Sequence, residues 1–197
     1  MRASFAALWP GRRAHKAWHI VMHDRGGKMK LTIANNGIPT KEQIESTLPS
    51  KERREKCPYA VIECWQEIPC DPCVASCPFH SITDMENIND LPEIDHATCI
   101  GCGLCIHTCP GLAIFVIDET YGTSEEISIR IPHEFSPLPD VGDMIKALGR
   151  DGSHICDAKV IKVKKNRSKT PVIEIAIPKK YILDVRAIEP LPMKHTQ

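Results

Sequence analysis

The chain has 197 residues, with 25 Lys and Arg balancing 25 Asp and Glu, a formal net charge of zero that disfavours a dedicated polyanion binder. That length allows one domain or two small ones with modest cores, and no apolar run approaches the roughly 20 residues of a spanning helix, so no membrane span is expected. Nine of the ten cysteines lie between Cys57 and Cys109 at metal-ligand spacings, too dense for a disulfide framework, which points to a reducing, cytoplasmic setting.

Residues 1–28 show no hydrophobic period and no acidic residue before Asp24, and two readings fit them. They could be a targeting segment, since transit peptides are Arg-rich and acid-poor. Alternatively, translation starts at Met29, because RGGK (25–28) is a run that the purine-rich codons of a ribosome-binding sequence would encode. The second is expected, with residues 1–28 an over-called extension without fixed structure. Residues 29–56 are expected to hold a short helix and a charged linker. Thr40 and Gln43 in PTKEQIESTL match a capping box that opens the helix, and KERREK (51–56) reads as the solvated linker.

Residues 57–120 contain no Lys or Arg but ten acidic residues, from Glu63 to Glu119, whereas the flanks carry all 25 basic residues. An acidic centre between basic flanks is expected to present distinct surfaces to distinct partners. The segment also repeats itself. A shift of 32 residues lays Cys70, Cys73, Cys77, Pro78 and Ile82 onto Cys102, Cys105, Cys109, Pro110 and Ile114. Two copies predict a pseudo-twofold core around two equivalent centres. AVIE (60–63) and AIFVID (113–118) are expected to pair as an antiparallel hairpin.

The second copy, CIGCGLCIHTCPG, is a complete C-x2-C-x2-C-x3-C-P run through Cys99, Cys102, Cys105 and Cys109, the spacing of bacterial [4Fe–4S] ligands. Three thiolates from a tight loop can cap three irons, with Gly101 and Gly103 letting the backbone curl close. The fourth points away and, where two clusters are present, ligates the other one. Structural zinc sites show two separated pairs instead. By this logic Cys77 completes the cluster of Cys99, Cys102 and Cys105, while Cys109 joins Cys70 and Cys73. The first copy has Glu67 where its fourth thiolate should stand. Cys64, three residues earlier, is the preferred fourth ligand, reached by a larger loop over WQEIP. Cys57 would need a loop of twelve residues, and a three-iron cluster is the remaining alternative. Two [4Fe–4S] clusters on eight cysteines are expected.

From residue 121 the cysteine runs stop and strand signals begin. EISIRI (126–131), AKVIKVK (158–164), VIEIAI (172–177) and YILDVRAI (181–188) alternate or run β-branched, separated by turn residues. GDMIKALG (142–149) has a helix-compatible pattern, but its flanking turns favour a strand. A small all-β, barrel-like domain is expected over 121–197.

Residues 60–120 resemble the bacterial two-cluster ferredoxins. More narrowly, ECWQEIPCDPC and GCGLCIHTCPGLAIF resemble the small iron–sulfur subunits of multisubunit FAD-dependent amine and amino-acid dehydrogenases, relatives of proline dehydrogenase and hydrogen cyanide synthase complexes. PLPDVGD (137–143) and ALGRDG (147–152) resemble the small β-domain of that group, so the likeness covers about 150 residues. It departs at Glu67 and leaves residues 1–28 unmatched. The fold implied is α+β: a two-cluster ferredoxin-like domain of short β-hairpins and helical turns over 57–120, followed by the barrel-like domain. The function implied is electron transfer by a non-catalytic subunit, from the flavin of a partner dehydrogenase to an acceptor protein or quinone. No G-x-G-x-x-G follows a predicted strand, so FAD is expected only on a partner chain.

Two rival functions stay open. One is a ferredoxin-like subunit of a hydrogenase or formate dehydrogenase type of complex. The other is a nucleic-acid binder with structural clusters, for which KVKKNRSK (162–169) is the best signal. That run lacks interleaved aromatics, so no nucleic acid is expected. His80 and His107 read as surface or packing residues, Trp65 as a shield against water, and Cys57 and Cys156 as small apolar residues.

Overall fold

Thr40 caps the first helix among the residues that the computed structural model describes, 37–193; the expectations for residues 1–28 lie outside them. The helix, α1 (Lys41–Ser46), shows both arms of the capping box. Gln43 N–H donates to Thr40 Oγ1 at 3.3 Å, and Thr40 N–H donates to Gln43 Oε1 at 2.8 Å. In the KERREK segment Lys51, Glu52, Glu55 and Lys56 are exposed, but the run is not all solvated. It forms a helical turn, α2 (Lys51–Arg54), whose arginines turn inward. Arg53 donates to the backbone carbonyls of His96, Cys57, Pro58 and Cys99, and Arg54 Nη1 meets Glu119 Oε1 at 3.2 Å.

Seven strands follow: β1 (Tyr59–Ile62), β2 (Ile114–Asp118), β3 (Glu126–Pro132), β4 (Met144–Leu148), β5 (His154–Lys164), β6 (Val172–Pro178) and β7 (Ala187–Ile188). Between β1 and β2 lie the cysteines and two short helical turns, α3 (Pro72–Ala75) and α4 (Leu104–Thr108). The strands form one antiparallel sheet in the order β1-β2-β3-β6-β5-β4-β7. The expected α+β arrangement, a two-cluster ferredoxin-like domain followed by a separate barrel-like one, is therefore overturned. The hairpin does form, with Ala60 opposite Val116 and Ile62 opposite Ile114. However, β2 also offers its other edge to β3, where Ile117 stands opposite Ile129. The pair expected to close one domain is instead the beginning of a longer sheet. That sheet ends at β1 and β7 and is not closed into a barrel.

Side-chain alternation places the two faces of this hairpin in different cores. Tyr59, Val61, Phe115 and Ile117 join the isoleucines of β3 and β6 (127, 129, 131, 173, 175 and 177) in the larger core. Ala60, Ile62, Ile114 and Val116 pack with Cys73, Cys99, Cys105, Ile82 and Ile106 in the smaller one. A strand covered on both faces loses the polar alternation of a half-exposed one, and β1 is buried at all four positions.

Two tail segments also resolve. Residues 144–148 form a strand, as their flanking turns suggested. YILDVRAI is mostly turn, because the Asp184 and Val185 N–H groups both donate back to Tyr181 O, leaving only Ala187–Ile188 to pair with β4.

Part of the charge segregation is resolved inside the molecule. Glu63 is held by Arg150 and Arg186, with contacts of 2.5–2.8 Å and all three side chains largely buried. Glu119 is 4% exposed and meets Arg54 and Lys179, each at 3.2 Å, and accepts a hydrogen bond from Tyr59 Oη at 2.7 Å. Flank cations thus neutralise two of the ten central carboxylates. Glu67, Asp71, Asp84, Glu86, Asp90, Glu93 and Asp95 stay exposed.

Candidate functional site

The 32-residue repeat is visible in backbone geometry. α3 and α4 begin 32 positions apart, at Pro72 and Leu104. Past each Cys-Pro pair the chain takes a left-handed residue, His80 at φ 49° and Leu112 at φ 52°. That turn brings an N–H back onto the cysteine sulfur. Ser81 N–H donates to Cys77 Sγ at 3.3 Å, and Ala113 N–H donates to Cys109 Sγ at 3.4 Å.

The eight cysteines gather in two groups over the outer face of the hairpin. Cys64, Cys70, Cys73 and Cys109 line one hollow, together with Ile62 and Ile114. Cys77, Cys99, Cys102 and Cys105 line another, together with Ala60 and Ile82. Each group takes its last cysteine from the other copy. Cys73, Cys99 and Cys105 are buried, Cys102 is exposed, and the rest are half-buried. Glu67 is exposed and does not line the first hollow, and Cys57 lines neither.

Groups far along the chain hold the second loop in place. Gly101 sits at φ +64°, and a Cβ there would lie 2.6 Å from Pro58 atoms, so only glycine fits. Its carbonyl accepts from Arg130 Nη1 at 2.6 Å, while the Cys99 carbonyl accepts from Arg53. Neither arginine was legible as a site residue. Arg130 is one polar position in an alternating strand and Arg53 one charge in a charged run, and only the tertiary pairing gives either a role.

The thiols are poised differently. Burial pushes Cys105 up to about 12, with the neighbouring Cys102, Cys99 and Cys77 adding to it. Burial also raises Cys64, opposed by a backbone hydrogen bond at Gln66 and reinforced by Cys109 and Cys70. Cys73 is raised by burial and then by Cys109. For Cys77 burial is outweighed by backbone donors at Ser81, Phe79 and Ile82, and the thiol is lowered. A metal core reverses the penalty, since a coordinating thiol is deprotonated outright. Among the described residues no three His, Cys, Asp or Glu side chains stand close enough to share one ion. Thiolates on a cubane each take a different iron and have no need to.

The second copy also carries a family likeness. Residues 92–115 match the 4Fe-4S binding domain. Cys99, Cys102, Cys105 and Cys109 all fall within that match. This part of the chain is thus a ferredoxin-like, metal-binding segment for a [4Fe–4S] cluster, and it supports an iron–sulfur electron-transfer role. No curated protein and no solved structure matches the chain.

His107 is buried, with Nδ1 2.9 Å from Thr170 O, and His80 is exposed. Trp65 is half-buried outside both hollows. Cys156 packs against the larger core. Among the described residues no helix is long and apolar enough to cross a membrane.

Proposed function

We propose that this chain is a cytoplasmic electron-transfer subunit that carries two [4Fe–4S] clusters. Cys64, Cys70, Cys73 and Cys109 would hold one, and Cys77, Cys99, Cys102 and Cys105 the other. The observation that carries the reading is the gathering of eight cysteines into two fours, each completed from the other copy. Such clusters, when bound, supply one-electron carriers. The chain's own residues exclude water with the hairpin face, direct N–H groups at Cys77 and Cys109, and brace the second loop through Arg53 and Arg130. The likeness of ECWQEIPCDPC and GCGLCIHTCPGLAIF to dehydrogenase subunits supports an FAD-dependent amine or amino-acid dehydrogenase as the electron source. A protein or quinone would be the acceptor.

Anaerobically purified protein should contain about eight iron and eight sulfide per chain, the sum of two cubanes. A reproducible value near four would remove the two-cluster reading. Affinity purification from native cells should bring down a flavin-containing chain. A nickel- or molybdenum-containing partner in its place would favour the hydrogenase or formate dehydrogenase alternative.

A further inference from the structure

A third hollow, of about 220 Å³, opens beside the second cysteine group. One wall is a row of charges across three strands. Arg130 of β3 stands opposite Glu174 of β6, and Glu174 opposite Lys162 of β5, with Lys164 two residues further along the same strand face. The other wall comes from Cys102, Gly103 and the first turn of α4. Arg130 Nε meets Glu174 at 3.3 Å, and these two charges offset each other. Lys162 and Lys164 have no hydrogen-bond or ion-pair partner among the described residues. Two ammonium groups thus border one small concave space whose carboxylate, Glu174, already pairs with Arg130, an arrangement that an anion in the hollow would relieve.

We propose that this hollow binds a phosphate group. Two lysines match the nearly double negative charge of a phosphate, whereas a single carboxylate would leave one ammonium unbalanced. Arg130 keeps N–H donors beyond those engaged by Glu174 and Gly101. Sites for whole small-molecule cofactors span about 300–1,000 Å³, so this one takes the phosphate moiety and leaves the remainder of any larger ligand outside. Cys102 is exposed and borders the same hollow. A phosphate held there sets negative charge beside the second cysteine group, which makes an added electron at that group less favourable. The site stands on this chain's own side chains and does not require two clusters.

The test is calorimetric titration of anaerobically prepared protein with inorganic phosphate at fixed ionic strength. Saturable binding is expected, weakened at least about tenfold in the Lys162→Ala/Lys164→Ala double variant. Lys165→Ala/Arg167→Ala, which removes equal charge outside the hollow, should bind as the parent does. Unchanged circular dichroism and iron content will establish that both variants are folded. A parallel titration with succinate separates phosphate from a dicarboxylate, and weaker binding of succinate is expected. Absence of saturation overturns the site, and so does an equal loss in both double variants. Succinate binding as tightly as phosphate overturns the ligand class.

Discussion

In the first cysteine copy the helical turn starts at Pro72, and the nearby charges are carboxylates: Glu67, Asp71 and Asp90 are exposed, and Asp90 lines the hollow of Cys64. In the second copy the turn starts after Gly103, and cations outnumber carboxylates nearby: Arg53, Arg130, Lys162 and Lys164 against Glu174, which pairs with Arg130, and the exposed Asp95. Two arginines that reach Glu63, next to Cys64, are Arg150 and Arg186, both engaged by its carboxylate; Arg186 stacks 5.2 Å from the Phe115 ring, on the face turned away from the cysteines. The copies share what a cysteine site needs from its own backbone, a helical turn, a left-handed residue and an N–H on sulfur. They differ in what distant segments bring to them. The repeated local sequence therefore set the backbone around the cysteines, while the surrounding sheet set the electrostatics.

The largest expected effect tests the first copy's irregular ligand. Cys64→Ala should lose one iron, giving a three-iron signal in oxidised protein, or lose that cluster, halving the iron from about eight to about four. Cys57→Ala should leave iron and spectrum unchanged. If Cys64→Ala keeps full iron while Cys57→Ala loses half, the first copy is completed from further upstream than its hollow suggests.

Next comes the brace behind the first copy. Glu63→Gln leaves two buried guanidiniums short of their counter-charge and should cost about 3 kcal/mol, read as a lower urea midpoint at constant m-value. A midpoint unchanged from the parent would mean that the first copy does not depend on this pair.

For the second copy, Gly101→Ala combines a left-handed φ with a Cβ 2.6 Å from Pro58. It should destabilise by about 2 kcal/mol or more and loosen the second cysteine group. Gly111→Ala meets nothing within 4 Å and should be close to neutral. Equal melting temperatures for the two variants would show that the loop relaxes freely.

Redox titration followed by paramagnetic resonance probes the charge difference directly. With N–H donation to sulfur alike in both copies, the cation-flanked second group should have the higher reduction potential. Asp90→Asn should raise the lower potential, and Lys162→Ala should lower the higher one. The opposite order would contradict the charge reading, because the exposure of Cys102 also favours the more negative reduced state at the second group.

The smallest effect concerns pH. Shifted by 32 residues, Cys64 falls on His96, which packs edge-on against Tyr59 with ring centroids 6.2 Å apart. Burial, then Arg53, lowers His96, and burial lowers His133. Below the ordinary value of about 6.5 the unfolded chain binds more protons than the folded one. The stability from keeping these rings neutral is therefore present above that pH and declines as pH falls towards the folded values. The urea midpoint should drop modestly on acidification from about pH 7 to about pH 5.5, and His133→Asn should flatten the slope. A parent midpoint that rises over this interval would contradict the sign.

Much of the local structure was readable in advance because its causes lie within a few residues. The capping box needs only Thr40 and Gln43, the cysteine runs carry their own spacing, and β3 and β6 declare themselves by β-branched residues at alternate positions. The same rules misread YILDVRAI, where backbone turns satisfied the N–H groups that a strand would have paired. They also could not show that β2 pairs on both edges, since a strand's second neighbour leaves no mark on its own sequence. The inward turn of Arg53 and the pairing of Glu63 with Arg150 and Arg186, 87 and 123 residues away, were equally hidden. By itself the sequence determined which residues could ligate metal and which stretches could be strands. Tertiary structure decided which cysteines share a hollow, which charges surround each group, and that one sheet serves both halves. The physical reason is range: propensity, capping and loop spacing act along a few bonds, whereas burial and ion pairing act between whatever segments the fold brings together.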